Sequence, residues 1–365
     1  MKKLLTLGGA TQDIFIVQEH PQMIDAELYG KTEHCLAFRE GEKIEVKSLD
    51  YHTGGGATNS ATSFARLGFK TSCCIRVGDD LYGKQIIKEL AQHGIMVYEL
   101  LDPEGATGVS FILPTTSHDR VVLAWRGANA DLQYKDLPHD LFDTVDALYL
   151  TSLSGNSAHA FLPIVQQAKK KGVVVMANPG TSQLNAGANY LVQSLSYLDV
   201  LIMNAHEAQL CMQGVAAAKH VELAEMPFEH HPVPQEYPAL FQSSYGYNLR
   251  HFLKRIFNVG PTIIAITNGA EGVYVATRET LLFHPSLPTK VVSTLGAGDA
   301  FGSCFAAGVM QNKDLKSATL HALLNAKSVI EHRGAKAGLL TEEQLEQAYQ
   351  KLMREYADQF MAFEL

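Results

Sequence analysis

The sequence lacks any paired-cysteine pattern. Its five cysteines, Cys35, Cys73, Cys74, Cys211 and Cys304, contain neither a CxxC pair nor a zinc spacing. That argues against a disulfide framework and fits a reducing, cytoplasmic setting, with Cys73 and Cys74 as core thiols in an apolar run. A surplus of positive charge is missing too. The net charge of −8 argues against a general nucleic-acid or anionic-membrane surface, although a phosphorylated nucleotide needs only local donors. No run approaches the roughly 18 apolar residues that a spanning helix requires. The opening MKKLLTL stops at Gly8 and Gly9, too short for a secretory signal, and reads as a first buried strand. No GxGxxG follows that strand, where GGATQD stands instead, so a dinucleotide-dependent oxidoreductase is not supported.

What is present is an ordinary globular composition, 46% hydrophobic and 19% charged over 365 residues. Apolar runs at 4–7, 71–77, 147–150, 173–176, 200–203 and 262–267 alternate with helical patterns, and 272–276 reads as an antiparallel addition. This rhythm predicts an α/β fold, with a mostly parallel sheet, helices on both faces and ligands at the carboxyl ends of the strands. Residues 14–52 and 107–127 alternate without a long helix and read as a small β lid or an edge extension. The main domain is then 1–13, 53–106 and 128–365. Within it, 215–250 holds Pro227, Pro232, Pro234 and Pro238 and reads as a surface insertion. Its pair His230-His231 reads as part of a solvated loop before a metal site.

The chemistry concentrates in glycine-rich junctions. STLGAGDAF places Gly296, Ala297 and Gly298 just before Asp299 and a buried helical run. Backbone N–H groups and a helix dipole there suit negative charge, and a carboxylate beside them can take a proton from a hydroxyl. An Asp-capped turn is the competing account. TGGGATNSATSFARLG offers Gly54 and Gly55 for close backbone approach and Asn59 one turn into the helix, which suits a polyhydroxyl substrate or a plain helix–strand junction. Asp13 in GGATQD could accept two neighbouring hydroxyls. Asn204 and Glu207 of NAHE could position magnesium-bound water, or form a helix cap. TNGAEG, with Thr267, Gly269 and Gly272, reads as a nucleotide-side turn or a hairpin. HRGAKAG, 332–338, is a third small-residue loop. Arg126 in AWRGANADL could reach an acidic or phosphorylated sugar, or pair with a carboxylate such as Asp131.

Taken in order, these segments resemble the PfkB, or ribokinase-like, family of carbohydrate and nucleoside kinases over nearly the whole chain. GGGATNSATSFARLG is similar to its N-terminal signature, STLGAGDAFGSCFAAG to its C-terminal one, and NAHE to its NxxE. VGDDLYGKQIIKELAQHGI and ATGVS match segments between them. The resemblance implies a ribokinase-like three-layer sandwich with a small β lid, homodimerisation through that lid, and ATP and Mg2+ as cofactors. It makes Asp299 the catalytic base and Gly296, Ala297 and Gly298 the anion hole. Asp13, Gly55 and Asn59 would hold the hydroxyls of a sugar or nucleoside acceptor. Glu207 and Asn204 would organise magnesium, Glu207 through water, while Thr267, Gly269 and Gly272 would contact ATP. Asn325 would stand in a helix wall of the nucleotide pocket. Ser293 stands where the signature usually has Asp, which argues against activation by potassium although Gly334-Ala335 keeps the partner loop. A sugar kinase is the expected function; a nucleoside kinase and a non-catalytic sugar or nucleotide sensor are the alternatives.

Overall fold

A computed structural model describes residues 1–28, 31–116, 119–185, 190–217 and 249–365. The insertion expected over 215–250 lies, from 218 to 248, outside the described residues. Strands in chain order are β1 Lys3–Gly8, β2 Thr11–Gln18, β3 Met23–Leu28, β4 Lys31–Leu36, β5 Val46–Gly54, β6 Lys70–Gly78, β7 Met96–Asp102 and β8 Gly108–Pro114. They continue with β9 Arg120–Trp125, β10 Ala147–Leu150, β11 Val174–Ala177, β12 Val200–Asn204, β13 Ile263–Thr267, β14 Val273–Ala276, β15 Thr280–His284 and β16 Met361–Glu364. The main sheet runs β16-β15-β14-β13-β12-β11-β10-β1-β6-β7. It is parallel from β7 to β13 and antiparallel beyond.

Continuous apolar runs form these central strands because both faces are covered. Leu5, Leu7, Leu148 and Leu150 pack against the helices Phe161–Lys170 and Leu249–Val259, while Leu4, Ala147 and Tyr149 face Ala297–Met310 and Leu315–Ile330. Phe64 anchors the second layer edge-on to Tyr149 and Phe69, with ring centroids 5.3 and 5.7 Å away. Truncating such a buried ring to alanine costs about 3–5 kcal/mol. The fold is therefore the α/β sandwich that the sequence suggests, a mostly parallel sheet with helices on both faces.

A separate sheet, β5-β2-β8-β9, leaves the main one at Gly8-Gly9, and β3-β4 form an additional hairpin. In the four-stranded sheet β2 begins at Thr11 and β5 ends at Gly54, so Asp13 stands on the small sheet, whereas the sequence division at residue 13 assigns it to the main unit. Pairing registers put Asp13, His52 and Ser110 on one face, continuing through Phe15, Asp50 and Ile112 to Arg120. The opposite face carries Leu49, Tyr51, Phe111, Leu123 and Trp125, with Leu123 57% and Trp125 55% exposed.

How the helices start sets up the site. Leu81–Gln92 is capped by Asp80, Leu315–Ile330 by Asp314 and Glu342–Tyr356 by a Thr341–Gln344 capping box. Gly56–Arg66 and Ala297–Met310 instead start from Gly55 and Gly296, at φ 94° and 79°, with no side-chain cap. No side chain satisfies their first-turn N–H groups; backbone takes one at each end, Ala57 N donating to Gly9 O at 3.2 Å and Ala297 N to Thr294 O at 3.4 Å.

Candidate active site

The two uncapped helix ends meet. Asn59 Nδ2 donates to Asp299 Oδ2 at 2.8 Å, and a Cβ on Gly56 would lie 3.5 Å from Asp299 Oδ1. Asn59 is buried and its Oδ1 accepts no bond, an acceptor available to a hydroxyl. Gly296 packs on Ala335 so tightly that an added Cβ would fall 2.4 Å from the Ala335 Cβ, whereas a Cβ on Gly298 would meet open space. The turn thus rests on the 334–336 loop on one side and faces open volume on the other.

Burial pushes the Asp299 carboxyl above the usual carboxylate range, while the Asn59 donor and the Lys336 charge pull it back. Asp13 is also raised by burial; hydrogen bonds from Thr11 and Ser110 and the Lys336 charge oppose this, and the charge of Asp299 adds to it. Thr11 Oγ1 donates to Asp13 Oδ1 at 2.9 Å. Gly54 lies flat against Asp13, since a Cβ there would stand 2.0 Å from Oδ2. Gly55 presses on the backbone of Gly9 and Ala10, which brings the β1–β2 turn to the same helix end.

Asn204 and Thr267 are register partners at the carboxyl ends of β12 and β13. Asn204 N donates to Glu207 Oε2 and Glu207 N to Asn204 Oδ1, both at 2.8 Å, which is a reciprocal cap. The cap leaves the Glu207 carboxylate near Asp299. Burial raises it to about 7, the Asn204 N–H opposes this, and the negative charge of Asp299 adds to it. Thr267 leads into a turn holding Gly269 at φ 55° and Gly272 at φ 126° before β14.

Asp13, Asn59 and Glu207 therefore gather around Asp299, with Thr267 beside Asn204 at the edge of the group. Two residues singled out in the sequence stand apart from this group. Arg126 is exposed at the end of β9. Asn325 is fully buried, its amide donating to Ala300 O and accepting from Leu340 N, each at 3.0 Å. Ser293 is buried and its Oγ accepts from Leu295 N at 3.3 Å. The sequence reading assigns no role to Lys336, Thr53 or Glu89, which meet behind Asp13. Arg120 of β9 also escapes it; its guanidinium donates to the Thr294 hydroxyl and ties the small sheet to the signature loop. Among the described residues no three His, Cys, Asp or Glu side chains form a preformed metal cage, and no helix is long and apolar enough to cross a membrane.

The model of the pfkB family of carbohydrate kinases matches residues 22–229 and 244–342. Deoxyribokinase of Salmonella typhi is 24% identical over 307 residues, 84% of this chain and 90% of its own length. Ribokinase of Arabidopsis thaliana, solved with ribose and ATP, superposes with a TM-score of 0.68 at 19% identity, over 95% of this chain and 98% of its own. The nucleoside kinase of Methanocaldococcus jannaschii superposes with a TM-score of 0.71 at 19% identity, over 96% of this chain and 99% of its own.

Proposed function

The chain belongs to the pfkB family of carbohydrate kinases, and on that premise we propose that it transfers the γ-phosphoryl group of ATP to a hydroxyl of a sugar or related small alcohol, with Asp299 as general base. The observation that carries this is the Asn59–Asp299 hydrogen bond at the convergence of two uncapped helix ends. Asp13, Gly55 and the unpartnered Asn59 Oδ1 hold the acceptor hydroxyls. Asp299 takes the proton of the reacting hydroxyl as its oxygen bonds to the γ-phosphorus and the bond to the β–γ bridging oxygen breaks, releasing ADP. The first-turn N–H groups from Gly296 to Gly298 face the charge that develops on the phosphoryl oxygens. Thr267, Gly269 and Gly272 contact the nucleotide, and Asn325 braces the wall behind it.

The oxygen donors of Glu207 and Asn204 suit magnesium, which favours oxygen ligands and keeps much of its water; Glu207 would hold it through water. Bound there, the ion neutralises phosphate charge. Ser293 contributes a hydroxyl and no charge, so added potassium is not expected to activate.

A nucleoside acceptor is the second reading, supported by the superposition on an archaeal nucleoside kinase. The apolar outer face of the small sheet supports assembly with a second copy of this chain, and free cysteines, four of them buried, suit a reducing cytoplasm. The test is ATP-dependent phosphorylation across a panel of pentoses, hexoses, sugar acids and nucleosides, with wild type and Asp299→Asn. Loss of about 10²–10⁴-fold is expected for the variant; near wild-type turnover overturns the base, and a wild type that binds ATP yet phosphorylates nothing favours a sensor.

A further inference from the structure

Lys336 is a buried cation to which the phosphoryl-transfer scheme gives no task. It follows Gly334-Ala335, the pair on which Gly296 rests. Its side chain, 11% exposed, runs inward, and its ammonium donates to Thr53 Oγ1 at 2.6 Å and to Glu89 Oε1 at 3.0 Å. Thr53 Oγ1 donates to the same carboxylate oxygen at 2.6 Å and closes a triangle. Thr53 is the register partner of Gln12 and directly precedes Gly54, the residue lying flat against Asp13. The ammonium thus stands behind Asp13, one residue along from the contact that supports the Asp299 turn.

Titratable groups come to this point from several packed elements, among them His52 of β5, the register partner of Asp13, which lies against Gly334. Asp299 is faced by Asn59 from helix Gly56–Arg66, Tyr149 from β10, Glu207 from helix Ala205–Ala217, Asp13 from β2 and Lys336. Asp13 is faced by Thr11, by Ser110 of β8, by Asp299 and by Lys336. Lys336 is faced by Glu89, by Cys73 of β6 and by Asp13, with His93 also in its field. Burial lowers the ammonium's own proton affinity, and the nearby Glu89 carboxylate restores part of it. Three carboxylates, Asp13, Asp299 and Glu207, gather here, and Lys336 is the cation that Asp13 and Asp299 share. An anionic donor entering there adds to the repulsion.

We propose that Lys336 is a positioning residue, an internal counter-cation that offsets the joint negative charge of Asp13 and Asp299 and keeps both as carboxylates while the triphosphate approaches. The inference rests on the assignment of Asp299 as base. A role limited to pairing with Glu89 is the alternative, and double neutralisation separates the two.

The experiment compares Lys336→Met, Glu89→Gln and the double variant in ¹³C-aspartate-labelled protein. Carboxyl titrations are followed by NMR and assigned with Asp13→Asn and Asp299→Asn, so no acceptor is needed. In Lys336→Met both midpoints are expected to rise by about one pH unit, and the double variant keeps that rise. The kcat/KM for ATP and an acceptor from the panel then falls about tenfold on the acid side, with the alkaline plateau held within about threefold. Glu89→Gln alone is expected to lower both midpoints, which gives a readout even where Lys336→Met fails to fold. Unmoved midpoints in Lys336→Met or in Glu89→Gln, or wild-type midpoints in the double variant, overturn the inference. Turnover by Asp299→Asn overturns the base assignment alone and leaves these titrations intact.

Discussion

The side chain of Asn59 donates to the carboxylate of Asp299 across 240 residues of chain, at 2.8 Å. Each sits in the first turns of a helix that begins at a glycine, and each helix forgoes a side-chain cap at that end. The bond orients the carboxylate through the amide nitrogen, and the amide oxygen, Asn59 Oδ1, stays open to a ligand.

Asn59→Asp places a second carboxylate against Asp299. Two acids at this separation share a proton, so one of them is held protonated to a higher pH. The acid limb of the pH–rate profile is expected to move up by about one unit or more, with activity at pH near 7 down at least about tenfold and partly recovered in alkali. An unchanged profile removes Asn59 from the site.

Gly296 and Gly298 respond oppositely to the same substitution. Gly296→Ala forces a Cβ into Ala335 at a left-handed φ of 79°, and thermal unfolding is expected to show a loss of about 1–3 kcal/mol. Gly298→Ala adds a methyl in open space within a helix turn. Its stability is expected to hold or rise by up to about 1 kcal/mol, while ATP-dependent turnover falls because the methyl enters the volume given to the phosphoryl group. Equal stability losses in both would contradict the contrast.

Glu207 ties stability to pH in a defined direction. Its carboxyl is raised from an ordinary 4.5 to about 7 in the folded chain. Between those values the folded state keeps a proton that the unfolded chain releases, so rising pH costs stability through that window and the full cost is present above about 7. Glu207→Gln is expected to be more stable than wild type at pH near 8, by on the order of 1–3 kcal/mol, and equal to it below about pH 4. Denaturant titrations across the range check the slope; a wild type whose stability climbs relative to the variant over that window contradicts the buried carboxyl.

The outer face of the small sheet, with Leu123 and Trp125 more than half exposed, is expected to bury itself against a second copy. Light scattering at micromolar concentration should give the dimer mass for wild type and the monomer mass for Leu123→Glu/Trp125→Glu. A monomeric wild type rejects the assembly.

The central strands were readable because their runs at Leu4–Leu7, Ala147–Leu150 and Val200–Met203 are apolar on both faces. Edge strands β7, β15 and β16 escaped notice. MVYELLD mixes charge into its pattern, and TLLFH and MAFE are short, with partners that the local sequence does not reveal. The glycine turns and Asp299 were legible because their small residues sit at strand-to-helix junctions in a recognisable order. Lys336, Thr53 and Glu89 were not. Each is unexceptional where it stands, and only the approach of a late loop, β5 and helix Leu81–Gln92 makes them a group. For Asn325 the helical position was readable, but not that its amide would be consumed by Ala300 and Leu340.

The distance along the chain between Asn59 and Asp299 has a bearing on synthesis. Ribosomes add about 5–20 residues per second, so the 240 residues between Asn59 and Asp299 take on the order of ten to fifty seconds. For that interval the emerging polypeptide carries Asn59 without the carboxylate its amide bonds. Lys336 arrives later still. A product released in between holds one partner of this bond and lacks the other, so the two helix ends can be tied together only after residue 299 has been added.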